Sequence, residues 1–219
     1  MFLQDINNRG IKVQDFQLDI SRTKLLLVCL ACFFGVFNIS ALYIQYLSGE
    51  AINAHGTIVD VFNGSVLWMA SMISLLIAVN RYPDANRFLL WLFVSAAVGF
   101  LAIDEMFEIH EQTKYIIGED DYVKFTMLLV ALAAMVVLYR TERPSRQVVQ
   151  LFCVGLLFHV SYLFVDFGDG DFFILPIALY KLYWAEEAFE MLGVQTYFAG
   201  LLVFYMTQAG GTAVVEIGE

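Results

Sequence analysis

Residues 25–47 read LLLVCLACFFGVFNISALYIQYL, and this stretch decides the fold class. Only Asn38, Ser40 and Gln45 interrupt it, and it carries no charge. A helix that crosses a bilayer needs roughly 20 mostly apolar residues, because the hydrocarbon core is about 30 Å thick and the helix rises about 1.5 Å per residue. The stretch satisfies that length. It is too long for the apolar region of a secretory signal, and residues 1–20 mix acids with bases, so no cleavable signal is expected.

Five more runs of the same kind follow. They are Ile58–Val79, with Asp60 and Asn63 near its start; Phe88–Ile103, which continues into acidic residues; Val123–Tyr139; Gln147–Val165, with His159 inside it; and Ala188–Met206. The apolar stretch Phe172–Ala185 contains Pro176 and Lys181 and reads as a re-entrant or interfacial lead-in to the sixth run. A seventh span there would need a turn between Trp184 and Gly193, and no turn signal separates them. Punctuation agrees with six. Asp84 is placed to cap the third helix and Asp121 the fourth, Gly118 to end the third, and Pro144-Ser145 to open the fifth. The expected fold is therefore all-α: a polytopic integral membrane bundle of six transmembrane helices, one domain over residues 1–219. An N-terminal segment (1–23) and a tail (209–219) flank the bundle (24–208), whose short loops make consecutive helices antiparallel neighbours.

Composition leads to the same class. The chain has 219 residues, of which 60% are hydrophobic and 16% charged, and its mean hydropathy is +0.70. Soluble domains average about 45–50% apolar and about 25% charged. Three scattered cysteines exclude a disulfide scaffold, and 20 Phe with 11 Tyr exclude disorder. Net charge is −10, which excludes nucleic acid as a partner. The partner is the lipid bilayer, with self-association or a larger membrane complex open.

With six spans both termini share a side. On it lie Arg9, Lys12, Arg22, Lys24, Arg81, Arg87, Arg140, Arg143 and Arg146; the other side has Lys114, Lys124 and Lys181. Nine bases against three place the termini in the cytoplasm. Seven of the 22 acids accompany the nine bases, so the remaining 15 make the opposite face strongly negative. In a bacterial inner membrane or its equivalent, that acidic face is periplasmic or extracellular.

Two motifs hold seven of those acids. Residues 104–111 read DEMFEIHE and residues 186–191 read EEAFEM. The first lies where the third helix reaches the acidic side, the second where the sixth helix leaves it, so their depths match. At about 100° per residue, with Asp104 at zero, Glu105 falls at about 100°, Glu108 at about 40° and Glu111 at about 340°. Glu186, Glu187 and Glu190 span an arc of about 100° on their own helix, a face shared with Gly193, which lets another backbone approach. His110, at about 240°, lies off the acidic arc.

One-sided carboxylate stripes from two helices, at low dielectric, repel unless cations or protons compensate them. The expectation is a metal site between the third and sixth helices, with Glu108 and Glu190 central and Asp104, Glu105, His110, Glu111, Glu186 and Glu187 around them. Its cofactor is a divalent metal ion, with iron, manganese, calcium and zinc undistinguished, and a membrane metallo-oxidoreductase is one form such a protein could take. Bundle di-iron sites use a Glu-x-x-His pair on each of two helices, and no such pair is present. The alternatives are a solvated rim with Tyr115, Tyr122, Tyr180, Tyr183 and Trp184 as interfacial belt, a non-catalytic subunit of a larger complex, and a cation- or proton-coupled transporter. Asp60 and Asp166 are helix-end residues or further ligands in equal measure. His159 suits an interhelical hydrogen bond, and Cys29, Cys32 and Cys153 suit apolar filler. No nucleotide-binding turn, Gly-x-Ser-x-Gly or His-Glu-x-x-His motif occurs.

Overall fold

The computed structural model describes residues 12–14, 20–48, 58–107, 109, 121–169, 183–209 and 214–216. Its helices are α1 (Ile20–Ser48), α2 (Ile58–Arg81), α3 (Ala85–Phe107), α4 (Asp121–Glu142), α5 (Arg146–Asp169) and α6 (Tyr183–Ala209). Each contains a segment long and apolar enough to cross a membrane. Every apolar run of the sequence thus became a helix, extended at its ends by polar residues that suit an interface. Two short strands, β1 (Lys12–Gln14) and β2 (Val214–Glu216), pair antiparallel with Val13 opposite Val215. They add a small sheet to the expected all-α fold. They also bring the approach to α1 beside the exit from α6. Of the lead-in stretch, residues 172–182 lie outside the described residues, as does the Gly118 stop.

Local chemistry sets the tight turns. Asp84 accepts the Arg87 backbone N–H at 3.2 Å and so caps α3. α4 ends on Arg143 in the left-handed region (φ 48°), with its N–H still bonded to the Tyr139 carbonyl at 3.2 Å. Below, the end bearing Arg81, Arg87 and Arg140 is the basic end, and the end where α2 and α6 begin and α3 finishes is the acidic end.

Between helices in lipid the hydrophobic effect gives little drive, so small residues and hydrogen bonds decide the pairing. α2 and α3 form the closest pair. Ser71 and Ser95 each donate to the other's backbone carbonyl, at 2.8 and 2.9 Å. A Cβ on Gly99 would lie 3.1 Å from Ser71 Oγ, so this seam has no room for larger residues. α5 and α6 form the second pair, and α2 joins α6 to complete a four-helix core in the order α3, α2, α6, α5. Its interior includes Trp91 stacked on Phe204 at 5.1 Å between ring centroids.

α1 and α4 are peripheral. Only 11% of the spanning part of α1 is buried, against 56% of that of α6. α1 turns Leu25, Val28, Phe33, Val36 and Ile39 outward, and holds on through Phe37 stacked on Phe62 and Phe34 edge-on to Phe198. α4 departs from the expected neighbour rule. It packs lightly on α5 and scarcely on α3, although only three residues separate it from α5. A short loop fixes proximity at one helix end alone.

One polar link fastens α1. Asn38 Nδ2 donates to Gln195 Oε1 at 3.1 Å, and Gln195 Nε2 donates back to Asn38 Oδ1 at 2.6 Å. Gln195 is buried, so losing its partner leaves an amide unsatisfied in an apolar setting. Asn38→Leu is expected to destabilise the detergent-solubilised protein by about 1–2 kcal/mol. The double variant Asn38→Leu/Gln195→Leu should cost less than the two single changes combined, because neither amide is then stranded. Strict additivity in thermal melts would refute the coupling.

Candidate carboxylate site

The site forms where α2 and α3 come closest at the acidic end. Gly64 makes that approach possible: a Cβ there would lie 2.5 Å from Met106 Cγ and 3.0 Å from the Ala102 carbonyl. The face that α3 turns to α2 therefore carries Ser95, Gly99, Ala102 and Met106, on the side of the helix away from most of its acids. Glu105, at one edge of the acidic arc, reaches round to α2. There Asn63 Nδ2 donates to Glu105 Oε1 at 3.3 Å.

Asn63 is wholly buried, and among the described residues its Oδ1 has no hydrogen-bond partner. Glu190 and Glu187 of α6 and Asp60 of α2 are charged neighbours of Glu105. Carboxylates from three helices thus bear on one carboxyl. Asp60 sits in the first turn of α2, where the positive end of the helix dipole favours a carboxylate. Asp104 is buried, about 100° around α3 from Glu105. Glu186 is half-buried.

Of the candidate residues from sequence, Glu105, Glu187 and Glu190 come together. Glu108, His110 and Glu111 lie outside the described residues, so Glu108, central by spacing, is not placed. Among the described residues no three His, Cys, Asp or Glu side chains form a group with the arrangement of a metal centre. α2 enters the site as a third helix, with Asp60 of its first turn a charged neighbour of Glu105. Asn63 went unnoticed in the sequence as a site residue. The available signal was its spacing from Asp60, three residues and hence one helix face.

Away from the cluster, Gly193 does admit a second backbone: a Cβ there would lie 3.5 Å from the Gly155 carbonyl and 3.6 Å from the His159 nitrogen of α5. The His159 ring rests against Tyr162, with centroids 5.6 Å apart. The three cysteines are exposed on the outer faces of α1 and α5.

A family model described as a domain of unknown function (DUF8692) matches residues 25–204, which takes in most of all six helices and every described carboxylate of the cluster. No curated protein and no solved structure matches the chain.

Proposed function

We propose that this chain, which belongs to the DUF8692 family, is an integral membrane protein that binds a divalent metal ion through carboxylates at the acidic end of its bundle. The observation that carries this reading is the convergence of Asp60, Glu187 and Glu190 on Glu105, itself held by the buried Asn63. Carboxylates crowded at low dielectric repel one another strongly, and a divalent cation cancels that repulsion while accepting their oxygens. Oxygen donors suit calcium, magnesium, manganese or iron better than copper. Glu105 and Glu190 are the central ligands, with Asp60 and Glu187 beside them; Asp104, Glu108, His110, Glu111 and Glu186 complete the candidate set. The excess of Lys and Arg at the basic end supports placing that end in the cytoplasm.

Elemental analysis of the detergent-purified protein tests the reading. Stoichiometric metal is expected in the native chain and is lost in Glu105→Gln and in Glu190→Gln. Chelation should lower the melting temperature of the native protein and leave both variants unmoved, because only a bound ion stabilises by mass action. That no three His, Cys, Asp or Glu side chains among the described residues form a group able to hold a metal favours a second reading, in which the cluster shares protons. Under that reading the native protein is metal-free, and Glu105→Gln raises its melting temperature by removing repulsion. That pair of results overturns the metal site.

A further inference from the structure

We propose that the α4–α5 turn at the basic end holds one anionic phospholipid, with its phosphate on Arg143 and Arg146 and the first carbons of an acyl chain in the crevice between the two helices. The proposal is independent of the carboxylate site, which lies at the opposite end of the bundle. α4 packs lightly on α5, and a shallow crevice stays open between them. Met135, Leu138 and Tyr139 of α4, Pro144 of the turn, and Val149 and Phe152 of α5 line it. Tyr139, Pro144 and Val149 set its mouth at the turn, and Met135 lies about one helical turn deeper. Walls of this kind give water no hydrogen-bond partners, so in a membrane a lipid chain fills the space.

Charge around the mouth selects the lipid. Arg140, Arg143 and Arg146 are all exposed, and among the described residues none of them forms an ion pair. Glu142, the acid of that turn, faces inward to Arg81 and Trp91 and so neutralises none of the three. The α2–α3 turn at the same end differs, because Arg81 is paired with Glu142 and Arg87 with Asp84. The bias of basic residues toward the cytoplasm accounts for arginines at both turns. It does not account for one turn being neutralised while the other stays open beside an apolar crevice. Arg146 precedes Val149 by three residues and so shares its face of α5, and Arg143 adjoins Pro144 in the crevice wall. Arg140, about 200° round α4 from Leu138, adds only to the local field. Two guanidiniums at headgroup depth match the oxygens of a phosphate. A zwitterionic headgroup brings its own cation and gains less from them.

The test is lipid binding to the full-length, delipidated protein in detergent, read by native mass spectrometry and by melting temperature. One phosphatidylglycerol should bind and raise the melting temperature. Phosphatidylcholine should bind more weakly, and inorganic phosphate, which has no chain for the crevice, should not stabilise. Arg143→Gln combined with Arg146→Gln should weaken phosphatidylglycerol by about 30-fold. The same pair should leave the lipid-free melting temperature unchanged, since both side chains are exposed. Val149→Trp fills the crevice and should weaken binding with every arginine in place. Arg87→Gln removes a base already paired with Asp84 and should keep full affinity. Equal binding of the two phospholipids, or an equal loss in Arg87→Gln, would reduce the effect to the general attraction of a basic surface and overturns the proposal. Inorganic phosphate that competes as well as the phospholipid, or full affinity in Val149→Trp, overturns it by removing the crevice from the site.

Discussion

Glu142→Ala should destabilise the protein by about 3–5 kcal/mol, the range for stranding one partner of a buried ion pair. Glu142 closes α4 at the basic end, and its carboxylate serves three donors. Oε1 accepts from Arg81 Nε at 3.2 Å and from Trp91 Nε1 at 2.9 Å, and Oε2 pairs with Arg81 Nη2 at 2.5 Å. Its side chain is 2% exposed, against 17% for Arg81, so solvent screens the pair weakly. An acid at a helix C-terminus opposes the helix dipole, which means the bridge outweighs a local penalty. Removing it leaves the Arg81 guanidinium and the Trp91 N–H unsatisfied in the core and frees α4, which has little other packing. Glu142→Gln keeps an acceptor for Trp91 and should cost less, about 1–3 kcal/mol. Replacing both charges, as Arg81→Met with Glu142→Leu, should recover much of the loss, since well-packed apolar pairs often replace buried ion pairs without penalty. Melts of the detergent-solubilised variants decide it: a Glu142→Ala protein as stable as the native one would show that the bridge holds nothing.

That bridge shows what a sequence of this kind conceals. Glu142 counted only as one of seven acids on the basic side, because nothing in the residues around it names a partner 61 positions away. The spans themselves were plain, since bilayer thickness imprints itself as a run of about 20 apolar residues. Which helices touch was not. Lipid and protein interior are equally apolar, so Phe33, exposed, and Phe34, buried, look alike in the string. Small residues carry the missing information: Ser71, Ser95 and Gly99 mark the α2–α3 seam, and loop length does not. The site was partly visible for the same reason. Carboxylates in apolar sequence stand out, and the helical period places them relative to one another on one helix. It does not say which side of that helix meets a neighbour. The acids of α3 read as a single stripe centred near Glu108, yet α3 turns Ala102 and Met106 to α2, and Glu105 is the acid near enough to join Asn63.

That geometry makes Gly64 the position where fold and site fail together. A Cβ on Gly64 meets Met106 Cγ at 2.5 Å and the Ala102 carbonyl at 3.0 Å. The methionine can swing away, but the carbonyl belongs to the α3 backbone and moves only if the helices part. Gly64→Ala should therefore cost about 1–3 kcal/mol from overpacking, and Gly64→Leu more. Glycine's low helix propensity would by itself make the alanine variant about 0.5–1 kcal/mol more stable, so steric cost has to exceed that gain. Gly35 in α1 supplies the contrast, because nothing lies within 4 Å of a Cβ placed there. Gly35→Ala should be neutral or stabilising, with the sign of the effect reversed between two glycines in spanning helices. Parting α2 from α3 also draws Asn63 off Glu105, so under the proposed metal site Gly64→Leu should lose cation binding along with stability, whereas Gly35→Ala keeps both. A Gly64→Leu protein that melts like the native chain would mean the two helices do not meet at this glycine. One that melts early yet still binds a divalent cation would mean the proposed site does not depend on α2, and would return it to α3 and α6 alone.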